Sequence, residues 1–174
     1  MTGRILIRPA TDADTKPLCA LYCESVRCNR DGFIQDLSFH GCLITKTLLW
    51  REKGGDMLVA YDGGTLVGMG ALAPDEKGRV ELCKLHVNAD CQGRGIGRLL
   101  VQRLIALAAE RGFPEMKLHV TKTQGPAIGL YKSLGFRTTG EELFATEVQG
   151  KRVEFPTVHM RLPLRAEEPE AAVA

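Results

Sequence analysis

Residues 92–97 read Gln-Gly-Arg-Gly-Ile-Gly, and this stretch decides how the rest of the chain is interpreted. It follows the apolar run Val80–Val87 and precedes a segment in which leucines recur at helical spacing. Gly93, Gly95 and Gly97 allow successive backbone N–H groups to point toward one place, because no Cβ obstructs them. The helix that begins there adds the positive end of its dipole. The sequence therefore predicts an anion-binding turn between a strand and a helix.

The charges beside this turn indicate what kind of anion it suits. Arg94 and Arg98 supply two full positive charges, which favour a diphosphate over a single carboxylate. The spacing matches neither G-x-x-x-x-G-K-[ST] nor G-x-G-x-x-G, the two best-known phosphate loops. Taken alone, the glycines are equally compatible with a tight connection that binds nothing.

Hydrophobic periodicity predicts the elements on either side of the turn. In chain order we expect a strand at Arg4–Arg8, a helix capped by Thr11 or Asp12, a second helix at about Leu37–Lys53, strands at Met57–Tyr61 and Leu66–Leu72, a strand at Val80–Val87, a helix from Ile96 to Arg111, a strand at Met116–Val120, a helix at Ala127–Leu134, and a strand-rich region from Phe136 that includes Thr157–Leu162. This order indicates a mixed α/β (α+β) sheet covered by helices, without the regular alternation of a doubly wound fold.

Composition restricts the class of protein. The chain has 174 residues, 44% hydrophobic and 25% charged, which is typical of one globular domain. We assign residues 1–165 to that domain and expect the small, acidic tail 166–174 to be disordered. The net charge is only +2 and the basic residues are scattered, which argues against a nucleic-acid partner. No stretch approaches the roughly 20 apolar residues of a membrane span or forms a signal peptide, so we expect a cytoplasmic protein without membrane attachment.

The six cysteines show no C-x-x-C pair and no histidine at zinc-finger spacing. We expect free, mostly buried thiols and no bound metal. These cysteines are Cys19, Cys23, Cys28, Cys42, Cys83 and Cys91.

Three segments together resemble the core of the GNAT superfamily, the acetyl-CoA-dependent N-acetyltransferases. They are Leu85-His86-Val87, the turn 92–97, and Tyr131-Lys132-Ser133-Leu134-Gly135-Phe136. The family signature [QR]-x-x-G-x-[GA] is met by Gln92, Gly95 and Gly97. A later signature, N-x-x-A-x-x-L-Y-x-x-x-G-F, is matched at Ala127, Leu130, Tyr131, Gly135 and Phe136, with Gln124 in place of the Asn. The resemblance is specific over about residues 80–136.

This resemblance implies a mostly antiparallel sheet of about seven strands flanked by four helices. The strand Val80–Val87 would diverge from Met116–Val120, and coenzyme A would lie in the opening. Backbone groups of Leu85 and Val87 would bond its pantetheine arm. The cofactor-binding residues implied are Leu85, His86, Val87, Gln92, Gly93, Arg94, Gly95, Ile96, Gly97, Arg98, Gln124 and Tyr131. Gln124 is one methylene longer than the family's Asn, so its contact is left open.

The implied reaction is direct transfer of an acetyl group from acetyl-CoA to a primary amine of a small molecule, peptide or protein. A base must deprotonate the amine, and an acid helps the thiolate depart. Tyr131 holds the family's acid position, and Glu81 is the first candidate for the base, directly or through water. His86 is an alternative base and His119 a weaker one, whereas His40 and His159 are expected to be incidental.

The faces of the strand Val80–Val87 bear on the choice of base. Strict alternation would put Glu81, Cys83, Leu85 and Val87 on one face and Leu82, Lys84 and His86 on the other. A bulge, common in the family at this point, would change that parity.

The sequence leaves the acceptor open. The resemblance implies a cleft walled by about Cys28–Phe39 and Thr146–Phe155, whose mixed charge does not choose among an amino acid, a polyamine, an aminoglycoside and a protein N-terminus. Two other functions compete, a non-catalytic acyl-CoA-binding or sensing module and a protein that binds a different diphosphate. A homodimer through the C-terminal strands is a further possibility.

Overall fold

The computed structural model describes residues 4–28, 42–148 and 150–165. The strands are β1 (Leu6–Pro9), β2 (Asp56–Asp62), β3 (Thr65–Pro74), β4 (Val80–Val87), β5 (Glu115–Thr121), β6 (Arg137–Val148) and β7 (Lys151–Pro163), and the helices are α1 (Thr15–Cys28), α2 (Leu43–Glu52), α3 (Ile96–Glu110) and α4 (Gly125–Ser133). Their number and order confirm the prediction of seven strands and four helices.

The start of the first helix differs slightly from the prediction. A short 3-10 turn at Asp12–Asp14, capped by Thr11, precedes α1, so the cap and the α-helix do not meet directly. The expected start of the second helix, at residues 37–41, lies outside the described residues. The acidic tail 166–174 lies outside them as well.

The strands form one sheet in the order β1-β2-β3-β4-β5-β7-β6. Neighbouring strands are antiparallel except for β4 and β5, which are parallel. The mixed, mostly antiparallel architecture predicted from the sequence is therefore confirmed. The single parallel pair requires a crossover, which α3 supplies.

The β4–β5 pair separates almost as soon as it forms. Its ladder consists of Val80 with Met116 and Glu81 with Lys117, and both strands lie wholly within the described residues. β5 continues alongside β7 as far as Thr121. The β5-facing edge of β4 from Leu82 to Val87 is thus left without a sheet partner, and a wedge-shaped opening lies at the middle of the sheet.

The core occupies both faces of the sheet. On one face α3 and α4 cover a buried cluster that includes Leu82, Leu100 and Leu104. On the other face α1 and α2 cover Leu18, Met69 and their neighbours. Helix α3 lies very close to β3: a Cβ added at the third residue of the Gly68-Met69-Gly70 run would come within 2.8 Å of Leu104 Cδ1. This close packing fixes the position of α3 against β3, and so places the N-terminus of α3 beside the wedge.

A β-bulge interrupts β4 beside the wedge. Met69 pairs with His86 and Ala71 pairs with Cys83, so Lys84 and Leu85 together oppose one residue of β3. Lys84 has φ +54° and is the one non-glycine residue in the described ranges with a left-handed backbone. The extra residue changes the parity of the strand.

Strict alternation along β4 is therefore wrong. Leu85 and Val87 pack on the α3 side with Leu82, whereas Cys83 packs on the α1 side. Lys84 and His86 also lie on the α1 side, since both contact Tyr22. Glu81 remains on the α1 side, two residues before Cys83.

The expectation of mostly buried cysteines is wrong too. Cys19, Cys28 and Cys42 are exposed, and the other three are partly buried; all six are free thiols. Among the described helices, none is long and apolar enough to cross a membrane.

Candidate functional site

The glycine turn has the geometry that its sequence predicts. Gly93 and Gly95 have φ values of +77° and +81°, and a Cβ added at either would meet nothing within 4 Å. Gly95 caps α3, and its carbonyl accepts the N–H of Leu99 at 3.0 Å. The N–H groups of Ile96, Gly97 and Arg98 belong to the first helical turn, where they have no intrahelical acceptor. An anion in front of this turn would meet several donors and the helix dipole.

The two arginines beside the turn are held by neighbouring elements. Arg94 Nη2 donates to Asp62 Oδ2 at 2.7 Å, which ties the turn to the β2–β3 hairpin. Arg98 Nη2 donates to Ser133 Oγ at 2.7 Å, at the end of α4. Each guanidinium group is thereby bonded to an element that packs beside the turn.

Other predicted cofactor residues converge on the same place. Gln92 Nε2 donates to the carbonyl of Val87 at 3.3 Å and so links the turn to the end of β4. A Cβ at Gly97 would lie 3.7 Å from Val87 and 3.8 Å from Leu130 of α4. Gln124 caps α4 through its backbone carbonyl, which accepts from Ile128, and no cap bond is made by its side chain. The turn thus lies beside the end of β4 and beside Leu130 of α4, on one side of the wedge.

Tyr131 lies in α4, 8% exposed, with its ring edge-on to Phe136 at a centroid distance of 5.7 Å. Burial raises the pKa of its hydroxyl to about 12, with a smaller contribution from Cys83. The phenol therefore keeps its proton at neutral pH. Burial also raises the pKa of Cys83 to about 12, which makes that thiol a poor nucleophile.

Glu81 sits where β4 and β5 part, and its carboxylate meets a histidine of β5. Oε1 of Glu81 lies 3.1 Å from Nδ1 of His119. This hydrogen bond is the largest of the effects that raise the pKa of His119. The structure therefore brings together the first candidate for the base and a residue that the sequence ranked low.

A second histidine–carboxylate pair lies next to the first. The rings of His119 and His159 are 6.2 Å apart, and Nε2 of His159 lies 2.8 Å from Glu142 Oε1. His159, expected to be incidental, is brought here by the β5–β7 register, which sets it opposite His119. No motif in the sequence marks this pairing, because it depends on which residues face each other across two strands.

These residues line an open pocket of about 450 Å³ beside the wedge. Its wall includes Glu81, Lys117, His119, Glu142, His159 and Arg161. The wall predicted at Thr146–Phe155 is absent from the described lining, which instead comes from the nearer half of the β6–β7 hairpin. All but the first residue of the other predicted wall, Cys28–Phe39, lies outside the described residues.

His86, the alternative base, lies on the α1 face of β4. Its ring meets the ring of Tyr22 edge-on, with centroids 5.1 Å apart. His119 lines the pocket with Glu81, and His86 does not appear in the described lining.

Comparison with known proteins agrees with this geometry. A model of the acetyltransferase (GNAT) family matches residues 19–136 of the chain. The chain belongs to the GNAT family. The matched residues include β4, β5, the glycine turn and Tyr131 of α4.

Individual GNAT relatives extend the comparison. The chain is 36% identical to human N-acetyltransferase 8B over 121 residues, which are 67% of this chain and 52% of that protein. It spans about half the length of the curated relatives it matches. A putative acetyltransferase from Salmonella typhimurium, solved with its cofactor acetyl-CoA, superposes with a TM-score of 0.79 at 22% identity, covering 98% of this chain and 99% of the other.

A ribosomal-protein-alanine N-acetyltransferase from Brucella melitensis also superposes, with a TM-score of 0.76 at 27% identity over 91% of this chain and 99% of that one. The fold is thus shared along nearly the whole chain with acetyltransferases of different names. In the part of the chain that the structure describes, no three His, Cys, Asp or Glu side chains form a metal-binding group.

Proposed function

We propose that this chain is an acetyl-CoA-dependent N-acetyltransferase that transfers an acetyl group directly to a primary amine. The observation that carries the proposal is the wedge between β4 and β5, which opens beside the glycine turn at the head of α3. A strand edge without a sheet partner and a turn rich in free N–H groups are the two features that a pantetheine diphosphate needs. Membership of the GNAT family supports the same conclusion.

The residues of the wedge fit coenzyme A. Backbone groups of Leu85 and Val87, with His86 between them, lie on the unpaired edge of β4 and would bond the pantetheine arm. The segment 92–98 would hold the pyrophosphate, with Arg94 and Arg98 at its sides. Gln124 and Tyr131 would border the arm from α4. When bound, acetyl-CoA supplies an activated acetyl thioester.

The proton transfers follow from the pocket on the α1 side. With Nδ1 of His119 donating to Glu81, the lone pair on Nε2 is left to accept a proton from the amine. Tyr131 holds its proton at neutral pH and would donate it from Oη to the departing thiolate. A C–N bond forms, the C–S bond breaks, and the two protons move to Nε2 and to sulfur.

Release of free thiol from acetyl-CoA across a broad panel of amines tests this function. We expect turnover with at least one class of primary amine and a fall in rate for Tyr131→Phe and Glu81→Gln. If coenzyme A binds but no amine is acetylated, the chain is an acyl-CoA-binding module and the proposal fails.

Other properties expected from the sequence stay predictions. These are the single domain over residues 1–165, the cytoplasmic location, the independence of metal and the homodimer through the C-terminal strands.

A further inference from the structure

Two histidine–carboxylate pairs face each other across β5 and β7. Nδ1 of His119 lies 3.1 Å from Glu81 Oε1, and Nε2 of His159 lies 2.8 Å from Glu142 Oε1. The β5–β7 register sets the two histidines directly opposite each other. Residues opposite each other on neighbouring strands point to the same face of the sheet, and both pairs line the same pocket. The proposed mechanism uses only the first pair.

Each carboxylate fixes which nitrogen of its histidine can accept a proton. The ring nitrogen that donates to the carboxylate carries the hydrogen, and the other nitrogen then carries the lone pair. For His119 the lone pair is on Nε2, and for His159 it is on Nδ1. The pocket therefore offers two proton acceptors.

The separation of the two rings suits one nitrogen atom placed between them. A group hydrogen-bonded to an imidazole nitrogen at about 3 Å lies about 4 Å from the ring centroid. One atom can therefore contact both rings when their centroids are up to about 8 Å apart, and here they are 6.2 Å apart. An ammonium group has three N–H bonds, so it can donate to both histidines at once.

The other charged side chains of the pocket wall near His159 are held in ion pairs of their own. A lysine or arginine in such a pair keeps its charge, whereas an imidazole readily takes up and releases a proton near neutral pH. The two histidines are thus the groups of the described wall that are suited to accept protons. The ion pairs are Lys117 with Asp75 at 2.7 Å, Arg79 with Asp75 at 2.9 Å, Arg161 with Glu115 at 3.6 Å and Lys122 with Glu141 at 2.6 Å.

A second acceptor answers a need of the reaction. A primary amine is mostly protonated at neutral pH, and its nitrogen must lose two protons before it becomes the nitrogen of an amide. We propose that His159, positioned by Glu142, accepts the first of these protons, so that the enzyme binds its acceptor as the ammonium ion. This inference rests on the proposed function. His119 lies next to the wedge and accepts the second proton, and His159 lies one strand further away.

The protons balance over one turnover. Nδ1 of His159 takes a proton from the ammonium, and the free lone pair of the amine attacks the acetyl carbon. The C–N bond forms, the C–S bond breaks, Nε2 of His119 takes the second proton, and Tyr131 gives its own proton to sulfur. One of the two protons then returns to Tyr131 and the other passes to water. Solvent reaches the second pair, since the side chains of His159 and Glu142 are 41% and 53% exposed.

The pH dependence of one acceptor tests the inference. Thiol release from acetyl-CoA would first be measured with ethanolamine, spermidine, L-lysine, L-alanine and a peptide that begins with alanine. The amine with the highest kcat/KM would then be used from pH 6 to pH 10 with the unmodified chain and with His159→Gln. Glutamine can still donate a hydrogen bond to Glu142, but it cannot take up a proton.

We expect kcat/KM of His159→Gln to be lower by about tenfold or more at pH 7. The variant can use only the acceptor molecules that reach it unprotonated, and this fraction rises about tenfold for each pH unit below the pKa of the acceptor. The difference should therefore narrow to less than about threefold at pH 10. A purely structural role of His159 would give a loss that does not depend on pH.

Lys53→Gln is the matched control. It also replaces a basic residue that bonds to a carboxylate, since Lys53 Nζ lies 2.7 Å from Glu76 Oε1, and neither residue lines the described pocket. This variant should leave kcat/KM unchanged at every pH. Calorimetric titration with acetyl-CoA gives the concentration of folded protein to which each rate refers.

The outcomes separate this inference from the function beneath it. A loss in His159→Gln that stays constant from pH 6 to pH 10, or no loss at pH 7, would overturn the inference and leave the N-acetyltransferase intact. Absence of turnover with all five amines, while acetyl-CoA still binds, would remove both.

Discussion

In the proposed mechanism, Glu81 and His119 act together as the base, because their side chains are in contact. The carboxylate contacts Nδ1 of the imidazole and raises the pKa of His119, and Nε2 would be left to accept the proton of the amine. In this arrangement the Glu81 carboxylate does not need to contact the substrate. Its effect on His119 should be measurable as a change in the pH dependence of kcat/KM.

Removal of the Glu81 charge should shift the acidic limb of the pH–rate profile. The imidazole must be neutral to accept a proton, so kcat/KM should rise as pH increases through the raised pKa of His119. Glu81→Gln takes away the cause of that increase, and we expect the limb to move to lower pH together with a lower kcat. Profiles of kcat/KM measured from pH 5 to 9 would show the shift.

Glu142→Gln is the matched control, because Glu142 acts on His119 only through the smaller charge effect. It should move the limb less and in the same direction. An unchanged limb in Glu81→Gln would mean that His119 is not the base. The stabilisation from the Glu81–His119 pair has the opposite pH dependence: it is present at low pH and is lost as pH rises through the raised pKa.

The Tyr131 hydroxyl should matter for rate and not for cofactor binding. Tyr131→Phe keeps the ring against Phe136 and removes the proton donor, and we expect kcat to fall by about a hundredfold. The affinity for acetyl-CoA, measured by calorimetry, should change little. Tyr61→Phe also removes a hydroxyl, one that donates to Asp14 at 2.6 Å, and should lower stability without affecting kcat. Equal kcat in Tyr131→Phe and the unmodified chain would contradict the acid role.

At the scale of the element, the strand-to-helix turn works through backbone conformation. Gly95 has a left-handed φ, so the N–H groups that follow it point out of the end of α3. A side chain at this position would not clash, since nothing lies within 4 Å of an added Cβ. The need for glycine is therefore conformational and not steric.

Gly95→Ala should cost about 1–2 kcal/mol in the free energy of unfolding and should weaken acetyl-CoA binding. Alanine resists the left-handed conformation, and relaxation of the turn would redirect the N–H groups. Gly129→Ala is the control: this exposed glycine lies inside α4 with open space around it, and alanine there should stabilise the helix by about 0.5–1 kcal/mol. Thermal melts and acetyl-CoA titrations of both variants check the two effects. If Gly95→Ala binds acetyl-CoA as well as Gly129→Ala does, the turn is not the pyrophosphate site.

On the scale of the whole molecule, one buried carboxylate joins the first strand to the sheet. Asp14 accepts from Arg8 of β1 through both oxygens at 2.8 Å, from the Tyr61 hydroxyl of β2, and from the N–H of Thr11 at 2.7 Å. The Arg8 guanidinium is the main reason that the pKa of Asp14 is held far below its ordinary value. The carboxylate therefore stays charged in the folded chain.

Asp14→Asn should lower the free energy of unfolding by about 2–3 kcal/mol at neutral pH. The lower part of this range applies because the Arg8 side chain keeps 35% of its surface exposed. The folded pKa is depressed, so the stabilisation is present above about pH 4 and diminishes as pH falls below that value. Denaturant melts at several pH values, with the exposed Asp12→Asn as control, would show a difference that narrows on acidification. A constant difference would indicate that the charge is unimportant.

The sequence by itself determined the fold class, and it predicts where the acetyl donor binds. The GNAT signatures are local, since each lies within one turn or one helix. A local pattern of this kind can be recognised in the amino-acid sequence without knowledge of the tertiary structure. Periodicity predicts β1 to β5, α3 and α4 to within a few residues of their observed bounds. It predicts β6 and β7 only as one strand-rich region, and the predicted start of α2 lies outside the described residues.

Only the tertiary structure decided how the α1 side of the cleft is arranged. The pairing of Glu81 with His119, and of His119 with His159, depends on the register of β4, β5 and β7. A single extra residue in β4 turns Lys84 toward Tyr22 and gives Leu85 and Val87 the faces expected with a bulge, not those of strict alternation. Side chains alternate with a period of two along a strand, so one inserted residue changes every face beyond it, and no local pattern announces that insertion.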